Sequence, residues 1–238
     1  MNAIVELRQY TLHPGQRDVL IDLFDERFVE SQEAVGMTVL GQFRDLDDSD
    51  RFVWLRGFDD MSRRAQALAS FYGGPAWKEH CSEANQTMID SDNVLLLRPA
   101  AKGNGFPAPD VAERPAPGHT APPPSRLLAT IYYDDHPFGQ SFSDFFDRAA
   151  RPLLADLGAL PLACLSTEYA ENNFPALPVR TGEHAFVWFA RFSGQAELSD
   201  YLHRLEHSDR WQREVVPNLP LLPAQHLRLA PTARSLLR

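Results

Sequence analysis

The chain has 238 residues, a net charge of −9, and 44% hydrophobic and 11% aromatic residues. These apolar side chains suffice for a large packed core. The negative charge argues against nucleic-acid binding, which needs a basic surface to neutralise phosphates. Neither a secretory signal nor an apolar stretch of membrane-spanning length is recognisable, so we expect a cytoplasmic protein with no membrane span. The two cysteines, Cys81 and Cys164, are expected to be free thiols.

The first hundred residues predict a β-α-β-β-α-β order. Alternating apolar and polar residues indicate strands, helical spacing of Leu20, Phe24 and Phe28 indicates an amphipathic helix, and Gly36 suits a left-handed helix end. The predicted elements are a strand at 4–12, a helix at 16–36, strands at 37–44 and 51–58, a helix at 60–69, a short helix around Trp77 and a strand at 93–98. This order is that of a ferredoxin-like unit.

Residues 99–125 follow, and eight of these 27 residues are proline. Such a composition favours extended, polyproline-like conformations over a packed structure. We predict a connector between two folded units.

The remainder repeats the pattern of the first part. Phe52-Val53-Trp54 recurs as Phe186-Val187-Trp188, and a second tryptophan follows 23 residues later in both places, at Trp77 and Trp211. The positions before these triplets match at an offset of 122 and those after at 134, so a 12-residue insertion is needed, which we assign to a long loop at 168–183.

The sequence therefore predicts an α+β fold of two tandem ferredoxin-like (β-α-β-β-α-β) repeats that form an intramolecular dimeric α/β-barrel. A sheet with its helices on one face leaves the other face bare, and the second repeat supplies the partner at high effective concentration. The predicted domains are repeat one at 1–98, the linker at 99–125 and a diverged repeat two at 126–238.

Two pairs of side chains indicate a ligand site in repeat one. Arg8 and Tyr10 share one face of the first strand, and Trp54 and Arg56 share one face of the third. Together they suit an anionic or aromatic ligand. The alternative is that the aromatic rings pack in the core, while the arginines pair with Glu6 or with the acidic turn at 47–50.

The helix that carries Trp77 adds His80 on the same face, so we predict Trp77 as a ligand-binding residue and His80, with Tyr10, as a catalytic one. A histidine there can act as a base or as a haem ligand, but nothing near it supports haem, and we predict no cofactor. Arg8, Arg56 and His80 have Thr130, Ala190 and Glu214 at the matching positions of repeat two. These replacements favour a single pocket in repeat one.

One further motif fits a zinc-protease pattern: His203-Arg204-Leu205-Glu206-His207. The later acids Asp209 and Glu214 are too near in sequence to supply the distal third ligand, and short motifs often match by chance. We therefore predict solvated histidines and no metal site.

The first repeat resembles the NIPSNAP family. The resemblance rests on Glu6-Leu7-Arg8-Gln9-Tyr10, Pro14-Gly15, the helix with Phe24, and Arg63-Arg64-Ala65 followed by Trp77. It covers about residues 3–98 well and 127–230 weakly. The resemblance implies a dimeric α/β-barrel but no settled activity, because related barrels degrade haem, oxygenate without a cofactor, dehydrate or isomerise.

Two functions remain open at this stage. The first is a small-molecule site for an aromatic or anionic molecule, in the manner of a cofactor-independent oxygenase or isomerase. The second is a non-catalytic interaction or structural protein whose barrel interior is packed solid. The sequence decides neither whether the chain is an enzyme nor whether it forms a homodimer.

Overall fold

The computed structural model describes residues 2–238. Its strands are β1 (Ile4–Leu12), β2 (Thr38–Asp45), β3 (Arg51–Phe58), β4 (Met88–Asp90), β5 (Val94–Pro99), β6 (Arg126–Asp134), β7 (Pro161–Thr167), β8 (His184–Phe192) and β9 (Gln225–Pro231). Its α-helices are α1 (Arg17–Leu23), α2 (Val29–Glu33), α3 (Met61–Tyr72), α4 (Pro75–Thr87), α5 (Gln140–Phe145), α6 (Arg151–Asp156) and α7 (Gln195–Glu206). We call residues 2–98 the N half and residues 126–238 the C half.

The strands form one antiparallel sheet that closes into a barrel. The order is β3-β2-β9-β6-β8-β7-β5-β1-β4, and β1 also pairs with β3, so the ring closes and the short β4 pairs with the end of β1. The two halves meet through β5 with β7 and through β2 with β9. Closure leaves the ring with no free sheet edge between the halves.

The registers of the two halves match. Glu6 lies opposite Arg56 in the β1–β3 pair, and Leu128 lies opposite Ala190 in the β6–β8 pair. Leu97 lies opposite Thr167 at one junction between the halves. The other junction places Leu229 opposite Asp45, at the equivalent positions.

The side chains of the sheet divide into two sets. Alternate residues of β1, such as Val5 and Leu7, point into the barrel, where they pack with aliphatic residues of the other strands. The intervening residues, such as Ile4 and Tyr10, face the helices of the N half. The interior of the barrel is packed by buried apolar side chains.

The first helix of each half contains a π-helical turn. Phe24–Phe28 separates α1 from α2, and Phe146–Ala150 separates α5 from α6. A third π turn, Trp211–Val215, is followed by a 3₁₀ turn, Val216–Asn218. Such turns are rare and re-aim the side chains that follow them.

The linker is more ordered than the sequence predicted. Phe106 is 3% exposed and packs in the barrel against Phe189, with ring centroids 4.9 Å apart. Arg114, beside the 3₁₀ turn Val111–Glu113, pairs with Glu33 at 2.6 Å and donates to the Val39 carbonyl oxygen. Phe106 and Arg114 thus anchor a segment that is otherwise mostly exposed.

Candidate functional site

One glutamate and three arginines form a buried ion cluster in the N half, between the sheet and its helices. We call it the arginine cluster: Glu6, Arg8, Arg56 and Arg64. Arg8 Nη1 and Arg56 Nε each donate to Glu6 Oε2 at 2.7 Å, and Arg64 Nε donates to Glu6 Oε1 at 2.7 Å. All four side chains are at most 1% exposed. A single carboxylate therefore gathers three guanidinium groups away from water.

The strand register and a helix cap bring these residues together. Period-two alternation turns Glu6 and Arg8 toward the helices, and Glu6 lies directly opposite Arg56 on β3. Asp60 caps α3 by accepting from the backbone N–H of Arg63, and Arg64 follows in the first turn. The cluster thus joins two neighbouring strands to the start of the helix that covers them.

The charges of the cluster do not balance. Within residues 2–238, Glu6 is the one carboxylate that lies within 4 Å of any of the three guanidinium groups. Burial disfavours the Glu6 charge, but Arg56, Arg8 and Arg64 together outweigh it and hold the pKa of Glu6 well below its usual range. Burial lowers the pKa of Arg64. Three cations against one anion leave a surplus of two positive charges.

Neutral groups supply hydrogen-bond acceptors and ring contacts to two of the arginines. Arg8 Nε donates to the Tyr10 hydroxyl at 3.0 Å, and Arg56 Nη1 donates to Gln32 Oε1 at 3.2 Å. The guanidinium carbons of Arg8 and Arg56 lie 5.5 and 5.0 Å from the Trp54 ring centroid. Three buried nitrogens have no hydrogen-bond acceptor among the described residues: Arg56 Nη2, Arg64 Nη2 and Trp54 Nε1. All three are donors.

A small aromatic cavity lies beside the cluster. Its volume is about 30 Å³, which is room for one or two water molecules. Gln32 contributes to its wall. Most of the rest consists of aromatic rings from β1, β3 and the helices: Tyr10, Phe24, Phe28, Trp54, Phe71, Tyr72 and Trp77. Tyr72 and Trp77 are half-buried and form the part of the wall that is nearest to solvent.

A loop of the C half covers this region. Residues 168–183, which join β7 to β8 and which we call the strap, occupy the place of the predicted insertion. The side chains of Asn172 and Asn173 accept from Arg64 Nη1 at 3.0 and 2.9 Å. Phe174 stacks on Tyr72, with ring centroids 5.9 Å apart. The strap therefore ties the C half to the arginine cluster of the N half.

Most of the residues predicted from the sequence meet in this layer. The structure gathers five of them around the cluster and its cavity: Arg8, Tyr10, Trp54, Arg56 and Trp77. The alternative interpretation is confirmed in these contacts, since the aromatic rings pack in the core and the arginines pair with Glu6. A ligand site at these residues stays a prediction. The acidic turn at 47–50 binds other arginines, including Arg51 and Arg228.

His80 does not join the cluster. Its ring makes an edge contact with Phe28 at 6.4 Å and lies 3.9 Å from the carboxylates of Glu79 and Glu83. It does not line the cavity, and that cavity has no room for a haem. A catalytic role of His80 therefore stays a prediction.

The sequence interpretation missed two members of the cluster and the strap contacts. Glu6 was treated as a mere ion-pair partner, and Arg64 only as part of a family motif. The period-two face that linked Arg8 to Tyr10 also contains Glu6. No local signal indicates Asn172 and Asn173, because their partner Arg64 lies more than 100 residues away in the sequence.

The histidine motif and the two cysteines belong neither to the arginine cluster nor to the wall of its cavity. His203 and His207 are exposed and stack on each other with centroids 4.3 Å apart. In the part of the chain that the structure describes, no group of three or more metal-ligating side chains is assembled. Both cysteines are free, and burial raises the pKa of the Cys164 thiol to about 12. Within residues 2–238 no helix combines the length and apolarity needed to cross a bilayer.

The C half has a different sheet–helix layer. Where the N half has Glu6, Arg8 and Arg56, the equivalent strand positions hold Leu128, Thr130 and Ala190. The layer nevertheless contains a cavity of about 260 Å³, larger than that of the N half. Leu128 and Thr130, at the positions of Glu6 and Arg8, line this cavity. The prediction that a single functional pocket would lie in the first repeat stays a prediction.

Comparison with known proteins gives a family match for the first half and the fold of the whole. The family model described as NIPSNAP matches residues 5–102. No curated protein matches the sequence of the chain.

Several solved structures share the architecture along nearly the whole chain. An anthrone oxidase-like protein has a TM-score of 0.60 at 12% identity, over 98% of this chain and 94% of its own. A dye-decolorizing peroxidase from Bacteroides thetaiotaomicron gives 0.58 at 10% identity, over 99% and 94%. A protein of Fusobacterium nucleatum that is provisionally named a monooxygenase gives 0.56 at 10% identity, over 96% and 92%. At these identities the likeness shows the fold alone.

Proposed function

Because residues 5–102 belong to the NIPSNAP family, whose fold leaves the chemistry open, we propose a function from the site itself. We propose that the N half binds a small aromatic anion between the sheet and the helices, against the arginine cluster. The observation that carries this proposal is the surplus of two positive charges sealed in an aromatic layer.

The surplus positive charge of the cluster favours a negatively charged ligand. A buried charge without a counter-charge costs several kcal/mol, about 3–5 when one member of a buried pair is missing. The unpartnered atoms, Arg56 Nη2, Arg64 Nη2 and Trp54 Nε1, are all donors. A carboxylate or another planar oxyanion offers acceptors to guanidinium groups in their preferred geometry.

The aromatic wall defines the rest of the ligand. Tyr10, Trp54, Tyr72 and Trp77 surround the cavity and suit a flat, unsaturated body. The present volume of about 30 Å³ is too small for such a ligand. Entry therefore requires a movement of the half-buried rings Tyr72 and Trp77, and with them of Phe174 on the strap, which stacks on Tyr72. We therefore expect a movement of the strap to open and close the site.

A reaction fits this site as a second step of the proposal. Cofactor-independent oxygenation and isomerisation both begin when a proton leaves a carbon next to a carbonyl group, so that an enolate forms. An isomerase returns that proton to another carbon, whereas an oxygenase adds O₂ to the enolate. Preformed positive charge in a dry site stabilises the enolate oxygen. We assign this role to Arg8, with Tyr10 as hydrogen-bond donor. His80, three residues after Trp77, is the proposed base, and it reaches the ligand only with the movement of Trp77 that opens the site.

A non-catalytic role is the alternative. The barrel interior is packed with buried apolar side chains, and the N-half cavity admits no more than water without rearrangement. Both observations favour a protein in which the barrel is a scaffold. In that case the arginine cluster serves to hold the strap in place.

The organisation of the chain is part of the same proposal. We infer two tandem ferredoxin-like repeats, with boundaries at 1–98, 99–125 and 126–238. The matching registers of β1 with β3 and of β6 with β8 support this duplication, as do the matching junctions between the halves. The cytoplasmic location and a homodimer stay predictions.

Calorimetric titration and thermal unfolding with three probes test the proposal. Benzoate supplies a ring and a carboxylate, benzamide supplies the ring without the charge, and sulfate supplies the charge without the ring. We expect benzoate to raise the unfolding temperature and the other two to act much more weakly. Equal effects of benzoate and benzamide would contradict an anion site.

Variants locate the binding. Arg8→Gln should weaken benzoate binding by more than tenfold, because it removes one charge from the site. The matched control is Arg44→Gln, which removes the same charge from a surface ion pair with Asp18. Tyr10→Phe serves as a second variant in case Arg8→Gln does not fold. If Arg44→Gln and Arg8→Gln weaken binding equally, the arginine cluster is not the site.

A further inference from the structure

A second sheet–helix cavity lies in the C half, away from the arginine cluster. It is bounded by β6, β8, β9, α7 and the segment that follows the π turn at Trp211. Its volume is about 260 Å³. A dry apolar cavity of about 150 Å³ is known to bind benzene, so this one has room for two fused rings.

The walls of this cavity are apolar and aromatic. Leu202, Leu205, Trp188 and Trp211 form much of them. None of the eleven described residues that line the cavity is an arginine, a lysine, an aspartate or a glutamate. An ion would therefore lose its hydration here without finding a counter-charge.

Two buried polar atoms in the wall lack any partner. Trp188 Nε1 and the Tyr201 hydroxyl are both buried, and neither has a hydrogen-bond partner in the described residues. The Trp188 and Tyr201 side chains are 1% and 0% exposed. An unsatisfied buried donor costs about 1–3 kcal/mol, so a pair of them in one cavity wall needs an explanation. A ligand oxygen would satisfy both.

A polar pair marks one wall of the cavity. Thr130 Oγ1 and His226 Nδ1 are 3.2 Å apart, and His226 is the more exposed of the two. Removal of part of its ring from water lowers the pKa of His226, so the imidazole is neutral at neutral pH. This wall therefore offers neutral hydrogen-bonding groups as well.

We propose that the C half contains a second binding site, for an uncharged two-ring aromatic molecule with one hydroxyl or carbonyl oxygen. The rings fill the space between Trp188 and Trp211, and the oxygen accepts from Trp188 Nε1 and from the Tyr201 hydroxyl. The charge preference is the opposite of that proposed for the N half, because this layer contains Leu128 and Ala190 where the other has Glu6 and Arg56.

Three probes of one shape test the charge and the oxygen separately. We expect 2-naphthol to bind and to quench tryptophan fluorescence, naphthalene to bind more weakly, and 2-naphthoate to bind weakest in the C half. Fluorescence reports binding because Trp188 and Trp211 line this cavity. Trp54 and Trp77 line the N-half cavity, so variants of the C-half cavity are needed to locate the probe. Absence of 2-naphthol binding to the full-length protein would overturn the proposal.

Two variants place the probe in this cavity. Tyr201→Phe removes one hydroxyl at nearly constant volume and should weaken 2-naphthol binding about fivefold. Ala224→Phe fills the cavity from its wall and should abolish binding, with circular dichroism and the unfolding temperature as checks on folding. The matched control is Tyr169→Phe, because Tyr169 is exposed on the strap and does not line this cavity. Unchanged binding of 2-naphthol to Ala224→Phe would show that the site lies elsewhere.

Discussion

The two halves of the barrel have one backbone plan and two chemically different sheet–helix layers. Five positions that carry charged or amide groups in the N half carry small or apolar residues, or a threonine, at the equivalent places in the C half. The pairs are Glu6 and Leu128, Arg8 and Thr130, Gln32 and Leu154, Arg56 and Ala190, and Arg64 and Leu198. Tyr10 and Trp54, in contrast, recur as Tyr132 and Trp188.

The aromatic residues that recur in both halves have a packing role in each. Tyr10 and Tyr132, like Trp54 and Trp188, pack between the sheet and the helices of their own halves. The C half folds around an uncharged layer, so the fold does not need the ion cluster. This contrast supports the proposal that the arginine cluster binds a ligand.

The largest expected effect comes from removing the anion alone. Glu6→Leu leaves three buried guanidinium groups without a counter-charge and should lower the free energy of unfolding by about 3–5 kcal/mol. Urea unfolding followed by circular dichroism measures it.

The second prediction replaces the four residues of the arginine cluster with their C-half equivalents. The variant Glu6→Leu/Arg8→Thr/Arg56→Ala/Arg64→Leu removes the charges together and should be more stable than Glu6→Leu alone, because no unpaired cation remains. It should also bind no benzoate. If the fourfold variant is the less stable of the two, the cluster is a structural device of the N half rather than a ligand site.

The π turns provide the second comparison. Asp25 lies in the N-half turn, is 8% exposed, and accepts from Gln42 Nε2 at 3.1 Å. Burial raises its pKa to about 6. Its counterpart Asp147 is half-buried and pairs with Arg151 at 2.9 Å. One turn therefore buries a carboxyl without a close cation at its oxygens, whereas the other pairs it.

We expect Asp25→Asn to stabilise the protein at neutral pH. A carboxyl whose pKa is higher in the folded than in the unfolded state opposes folding when it is ionised, so stability rises as the pH falls from above 6 toward 4. A shift of about two units corresponds to roughly 3 kcal/mol at most. Asn keeps the acceptor oxygen and removes the charge.

The measurement is the free energy of unfolding at pH 7.5 and at pH 4.5 for the wild type, Asp25→Asn and Asp147→Asn. The gain of Asp25→Asn should be about 1–3 kcal/mol at the higher pH and should shrink at the lower one. Asp147→Asn should lose no more than about 1 kcal/mol, because its ion pair is partly solvated. A gain of Asp25→Asn that does not depend on pH would contradict the assignment.

The sequence was sufficient for the order of the elements and insufficient for the contacts between them. Alternation in β1 placed Arg8 and Tyr10 on one face, and the recurrence of Trp54 as Trp188 predicted two similar halves. These are local or periodic signals. The contact of Asn173 with Arg64, and the burial of Phe106 inside the barrel, depend on how distant segments meet in space. Neither leaves a pattern in the neighbouring sequence.

The smallest effect concerns the two equivalent tyrosines. The Tyr10 hydroxyl accepts from Arg8 Nε at 3.0 Å, whereas no charged side chain of the described residues donates to the Tyr132 hydroxyl. Tyr10→Phe should therefore cost about 1–2 kcal/mol of unfolding free energy, since it leaves a buried guanidinium N–H without its acceptor. Tyr132→Phe removes the same atom from a layer without charge and should cost less than about 0.5 kcal/mol. Thermal unfolding of both variants in one buffer measures the difference. Equal losses would mean that the hydroxyl of Tyr10 does not stabilise Arg8, and the case for Tyr10 as a hydrogen-bond donor to a ligand would then rest on its position in the cavity wall alone.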